Sequence, residues 1–74
     1  SWFMFNNQPL AEIFQALGEM YGTKIIYSKT DFNKLYFIGR FNRSDSLEDI
    51  LNHIATLNNL RIEKTDSTFT IKSK

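Results

Sequence analysis

The sequence has no cysteine, one proline, three scattered glycines and a single histidine. Without cysteine there is neither a disulfide nor a thiolate metal site, and the compartment stays open, since cytoplasm and periplasm both suit such a chain. A membrane helix needs about 20 consecutive apolar residues, and no run here comes near that length. No secretory leader pattern is present either. An excess of charge of one sign is also missing: nine Lys and Arg stand against eight Asp and Glu, both spread along the chain. That balance excludes the basic stripe of a nucleic-acid binder and the polybasic segment of a membrane anchor. Three separated glycines make no phosphate-binding loop.

What the chain does have is aromatic bulk. Seven Phe, three Tyr and one Trp in 74 residues supply large apolar areas to a domain otherwise too short to bury much. The length allows one domain, residues 1–74. The chain opens on Ser1 and turns apolar at Trp2, which reads as a piece of a longer protein.

Periodicity divides the chain into strands and helices. Trp2 to Phe5 reads as a strand that Asn6-Asn7-Gln8 breaks. Pro9 suits the first helical turn, with Asn7 or Gln8 as cap. Leu10, Ile13, Phe14 and Leu17 mark one helical face, which Met20 and Tyr21 extend. Gly22 ends it as a left-handed cap. Lys24 to Tyr27 reads as a second strand, Ser28 to Lys34 as a polar connection, and Leu35 to Phe41 as a third strand with Gly39 a bulge or close-approach point. Ser46 is an N-cap with Asp49 completing a capping-box variant. Leu47, Ile50, Leu51 and Ile54 form the second helical face. Leu60 to Lys64 and Thr68 to Lys72 make a hairpin turning at Thr65-Asp66-Ser67.

The two halves look like copies. Leu10, Ile13, Phe14 and Leu17 align with Leu47, Ile50, Leu51 and Ile54 at an offset of 37 residues. Any two amphipathic helices share that much. Here the cap (Gly22 with Asn59), the following strand (Lys24-Ile25 with Arg61-Ile62) and the preceding Phe-Asn (Phe5-Asn6 with Phe41-Asn42, one residue inserted) agree as well. The expected fold is α+β, an α/β sandwich of order βαβ-βαββ: two strand-helix-strand repeats with two helices packed against small sheets. Each repeat would cross over right-handed if its strands ran parallel in one sheet.

Chemistry is scarce. His53 follows Asp49 by four residues on the second helix, but a metal site needs three or four ligands, and His53 reads as a partly exposed helix residue. Glu12 and Glu19 read as solvated charges, Ser44 and Ser46 as turn and cap. No catalytic, metal or cofactor-binding residue is expected, and the chain reads as non-enzymatic. Phe37 and Phe41 with Arg40 faintly suggest a base-stacking platform, but Phe41 is required as core by the repeat, so no nucleic-acid partner is expected.

Strand alternation supplies the one positive functional sign. With Phe3, Phe5, Leu35, Phe37 and Phe41 inward, Trp2, Met4, Tyr36 and Ile38 point outward. Ile26 likewise points away from Ile25 and Tyr27, while the last strand is ordinary, with Phe69 and Ile71 in and Thr68, Thr70 and Lys72 out. An apolar patch of this kind is a partner site, or is covered by preceding chain, or is buried within the fold. Trp2, Met4, Tyr36 and Ile38 are the candidate partner-binding residues.

The order of these features resembles a known family. Phe5-Asn6-Asn7 followed by Pro9-Leu10, then Ile13-Phe14, Leu17, Tyr21, Lys24-Ile25 and Tyr27, Phe37-x-Gly39-x-Phe41, Ser46-Leu47-Glu48-Asp49-Ile50-Leu51 and Thr68-Phe69-Thr70-Ile71 resemble the C-terminal domain of FecR-like anti-sigma factors from Bacteroidetes. A related domain is the secretin and TonB short N-terminal signalling domain. The resemblance spans nearly the whole chain, and its motifs are structural. It implies the last periplasmic domain of an inner-membrane-anchored protein. Its partner would be the signalling domain of a TonB-dependent outer-membrane receptor, while a part of the protein outside this chain holds an extracytoplasmic-function sigma factor. The alternatives are the signalling domain of a receptor or secretin itself, and a structural module that dimerises through Trp2.

Overall fold

Two twelve-residue helices form where the apolar spacing places them, and the ends of each have a local cause. The computed structural model describes residues 1–74, in the order β1 (Trp2–Pro9), α1 (Leu10–Tyr21), β2 (Lys24–Ile26), α2 (Lys29–Phe32), β3 (Tyr36–Asn42), α3 (Leu47–Asn58), β4 (Leu60–Thr65) and β5 (Thr68–Ser73). Leu10, Ile13, Phe14 and Leu17 of α1, and Leu47, Ile50, Leu51 and Ile54 of α3, are all buried. Ser46 caps α3, its Oγ accepting the Asp49 amide at 3.1 Å, the first half of a capping box. Both helices stop at a left-handed residue, Gly22 and Asn59.

The start of α1 departs from expectation. Neither Asn7 nor Gln8 caps it; Pro9 occupies the cap position with no side-chain bond. The Leu10 amide instead donates to the Leu35 carbonyl at 2.7 Å, so the chain leading into β3 satisfies the helix end that a cap would serve. Asn6-Asn7-Gln8 does not end β1 either. The strand runs on to Pro9 through a bulge between Phe5 and Gln8, with Asn7 at φ 55°, a conformation asparagine tolerates better than most residues. Pairing with β3 carries the ladder across residues that would form a turn in isolation.

The segment 28–34 is not a plain connection. It holds the short helix α2, capped by Ser28 Oγ accepting the Asp31 amide at 3.3 Å. Phe32 at its end is among the most deeply buried side chains, set edge-on to Phe14 with centroids 5.7 Å apart. Two expected core positions lie outside. Met20 is exposed because the buried stripe of α1 ends at Leu17, and Leu35 is exposed because it precedes β3, outside the strand's alternation.

The sheets are separate. β1 and β3 form an antiparallel two-stranded ribbon, and β2, β5 and β4 form a three-stranded sheet in that order, with β2–β5 parallel and β4–β5 antiparallel. Each repeat therefore contributes its first strand to the ribbon and its second to the other sheet. Within either repeat the crossover rule for parallel strands of one sheet has nothing to act on, because the strands before and after each helix lie in different sheets. The fold is α+β, and one buried cluster joins all three helices to both sheets: Phe5, Phe37 and Phe41 from the ribbon belong to it with Leu60, Phe69 and Ile71 from the other sheet. No buried side-chain polar atom lacks a partner. No helix is long and apolar enough to cross a membrane.

A candidate protein-binding face

The ribbon's inner side is aromatic throughout. Phe3, Phe5 and Phe41 pack at centroid distances of 5.7 to 6.4 Å. The Phe37 ring lies parallel to that of Phe41, 6.1 Å away, and reaches it by crossing Gly39: a Cβ built on Gly39 would stand 2.4 Å from the Phe37 ring. Glycine at 39 is thus a close-approach position.

On the ribbon's outer side the structure exposes all four candidate residues, with Trp2 at one end of the ribbon and Tyr36 at the other. Trp2 and Met4 from β1, and Tyr36 and Ile38 from β3, are each 56–60% exposed. Met4 sits opposite Arg40, one step along from Ile38 on the same face, and Tyr36 lies at the Pro9 end. Arg40 shares the face and holds its guanidinium 4.8 Å from the Trp2 centroid, a cation–π arrangement. Sequence reasoning passed over Arg40 here, although it falls in the same alternation as Tyr36 and Ile38. Arg43, beyond the strand end, sits over Phe3 at 5.6 Å and donates from Nε to Ser1 Oγ. Neither β1 nor β3 contains a carboxylate, and Arg40 is the one charged residue of the two strands.

Elsewhere the side chains are structural. His53 is exposed on α3 and sets its ring edge-on to Phe41 at 5.7 Å. No three potential metal ligands gather anywhere. Phe37 and Phe41 are buried and present no stacking surface. The Tyr21 phenol is pushed above its ordinary value by burial and by the nearby Asp45 charge, against Arg43, and its hydroxyl donates to the Asp45 carbonyl at 2.8 Å, tying the end of α1 to the loop before α3. The Glu63 carboxyl is held below its ordinary value by its hydrogen bond from Arg61 and by the charge of Lys72. Neither group belongs to the ribbon face.

The whole-chain comparisons agree with this architecture. A family model described as "FecR, C-terminal" matches residues 2–71. No curated protein sequence matches. Two crystal structures of a proposed anti-sigma factor from Parabacteroides distasonis ATCC 8503 superpose over all of this chain, with TM-scores of 0.84 and 0.83 at 24% identity. The chain spans 34% of the length of each of those chains.

Proposed function

The chain belongs to the FecR C-terminal family, and on that premise we propose that it is the protein-binding signalling domain of a FecR-like transmembrane anti-sigma factor. In this reading the domain lies in the periplasm, anchored through other parts of the protein to the inner membrane. It receives a signal from a TonB-dependent outer-membrane receptor, and an extracytoplasmic-function sigma factor is held by a part of the protein beyond this chain. The domain acts by binding rather than by catalysis.

The observation that carries the reading is the ribbon face. Four large apolar side chains on two adjacent strands, each more than half exposed, backed by a packed aromatic layer and free of carboxylates, have the composition of a protein interface core: aromatics, Met and Arg, without Asp or Glu. The test measures affinity for the receptor's periplasmic signalling domain with Tyr36→Ser and Ile38→Ser. Weaker binding by a folded variant supports the reading, and undiminished binding removes this face from the account.

A further inference from the structure

A sheet edge is a row of unpaired amides and carbonyls, and folded proteins blunt it with short strands, bulges, proline or charge. The two sheets present four edges, and three carry such a device. β1 is bulged at Asn6 and Asn7 and ends on Pro9. β2 is three residues long. β4 is lined with Arg61, Glu63 and Lys64, its charges engaged in ion pairs with Lys72 and Glu48. β3, Tyr36–Asn42, is seven residues long without proline or irregularity of its own and apolar at Tyr36 and Ile38, and its one charge, Arg40, is drawn over the Trp2 ring.

The direction of its amides follows from one bond. The Arg43 amide donates to the Ser1 carbonyl at 2.9 Å, continuing the register in which Phe41 faces Phe3 and Gly39 faces Phe5. Antiparallel pairs alternate, so Gly39 and Phe41 exchange bonds with β1, while the amides and carbonyls of Ile38 and Arg40 point to the open side. The Asn42 amide, next in that row, is taken by Asp45 Oδ2 at 3.0 Å, which closes the edge at that end. Beside the open stretch lies a cleft of about 290 Å³ lined by Arg40, Phe41, Asp45, Asp49, Ile50 and His53. Phe41 and Ile50 are its apolar lining, and the carboxylates of Asp45 and Asp49 line it with His53 and Arg40. The Arg40 guanidinium itself sits 4.8 Å from the Trp2 centroid, and Asp45 Oδ2 is engaged by the Asn42 amide.

We infer that the free edge of β3 accepts an extended segment of the partner protein as a third strand of the ribbon, and that this segment lays a lysine or arginine into the cleft beside Asp49. Main-chain bonds to Ile38 and Arg40 supply the attachment, and the alternating side chains supply selectivity: apolar ones beside Tyr36 and Ile38 on the outer face, the basic one beneath. The inference rests on the proposed function and specifies how that face is engaged.

The test uses the receptor's periplasmic signalling domain as probe. Arg40→Ala keeps the edge amide; Arg40→Pro removes it, on an edge strand, the place within a sheet where proline is found, and circular dichroism checks that the variant is folded. The expected result is that Arg40→Pro binds at least about tenfold more weakly than Arg40→Ala, and that Asp49→Lys also loses at least about tenfold through a like-charge encounter. Hydrogen exchange on the wild-type complex reads the same bonds without mutation: the Ile38 and Arg40 amides exchange fast in the free domain and slowly in the complex. Equal affinity of the two Arg40 variants with both amides still exchanging fast overturns strand addition, and leaves the proposed function standing if Tyr36→Ser and Ile38→Ser weaken binding. Undiminished binding by Asp49→Lys overturns the basic side chain. Protection of those amides in the free domain together with a dimer in sedimentation assigns the edge to a second copy and overturns the inference. A wild-type domain with no affinity for the receptor domain overturns this inference and the proposed function together.

Discussion

Gly22 and Asn59 stand 37 residues apart and hold the same left-handed backbone, with φ and ψ of 59° and 37° at Gly22 and 56° and 44° at Asn59. Both end a twelve-residue helix and lead at once toward a strand of the three-stranded sheet. That shared geometry is a conformational imprint of the duplication, and it makes the two positions unequal in energy because only one is glycine. Replacing Gly22 with Ala meets no atom within 4 Å, so the cost is conformational alone, about 1 kcal/mol. Gly22→Asn costs less than Gly22→Ala, and Asn59→Gly is neutral or stabilising by a few tenths of a kcal/mol, about the scale of such exchanges. Urea unfolding of the three variants checks the order.

Gly39 tests packing against propensity. Alanine is favoured over glycine inside a strand by about 0.5–1 kcal/mol, so propensity alone makes Gly39→Ala stabilising. The Phe37 ring, buried and stacked on Phe41, stands 2.4 Å from the new Cβ, and displacing it costs about 1–3 kcal/mol. The expected outcome is net destabilisation, with Gly39→Ala in a Phe37→Leu background costing less than in the wild type. A chemical-denaturation double-mutant cycle measures both.

Phe32 gives the sharpest contrast between sequence and fold. Placed in a polar connection it would be a tolerant site, yet it is 1% exposed. Phe32→Ala should cost about 3–5 kcal/mol and Ser28→Ala, which removes the α2 cap, about 1 kcal/mol. For a domain this small the first variant should be largely unfolded at 37 °C, as circular dichroism would show.

How much of this was legible follows from where each signal lives. The buried faces of α1 and α3, the Gly22 and Asn59 caps, the hairpin at Asp66 and the inward or outward direction of Trp2, Phe3, Met4 and Phe5 all come from local spacing and conformational preference, which a single sequence carries. The run through Asn6-Asn7-Gln8 is different: it belongs to the strand only because β3 pairs with Phe5 and Gln8 on either side of the bulge. Leu10 likewise finds its capping partner at Leu35, far along the chain. α2 did carry a local sign, since Ser28-x-x-Asp31 repeats the Ser46-x-x-Asp49 pattern, but a four-residue helix has too little apolar periodicity to stand out. The division of each repeat between two sheets has no local sign at all. At the ribbon face, all four expected outward residues are exposed; Arg40 shares their alternation, but its charge hides it in a search for apolar outward residues.

Stability should depend on pH at both ends of the scale through two different groups. Glu63, depressed from its ordinary 4.5 chiefly by the Arg61 hydrogen bond, contributes stability above that value and loses it as pH falls through its lower folded value. Because the group is exposed, the contribution is small and salt-sensitive; Glu63→Gln should abolish it. Tyr21, raised from 10.0, contributes below 10.0 and loses the contribution as pH rises through its higher folded value. Tyr21→Phe removes the bond to the Asp45 carbonyl, costs about 1 kcal/mol at neutral pH and flattens the alkaline limb of the thermal-stability profile.

The central claim is that the outer face of the β1–β3 ribbon binds a protein. Isothermal titration of this domain with the periplasmic signalling domain of the TonB-dependent receptor proposed as its partner addresses that claim most directly. The account predicts that the wild type binds and that the double variant Tyr36→Ser with Ile38→Ser, still folded by circular dichroism, binds at least about tenfold more weakly, as loss of central apolar contacts does. Equal affinity of a folded double variant, or no binding by the wild type, would contradict it.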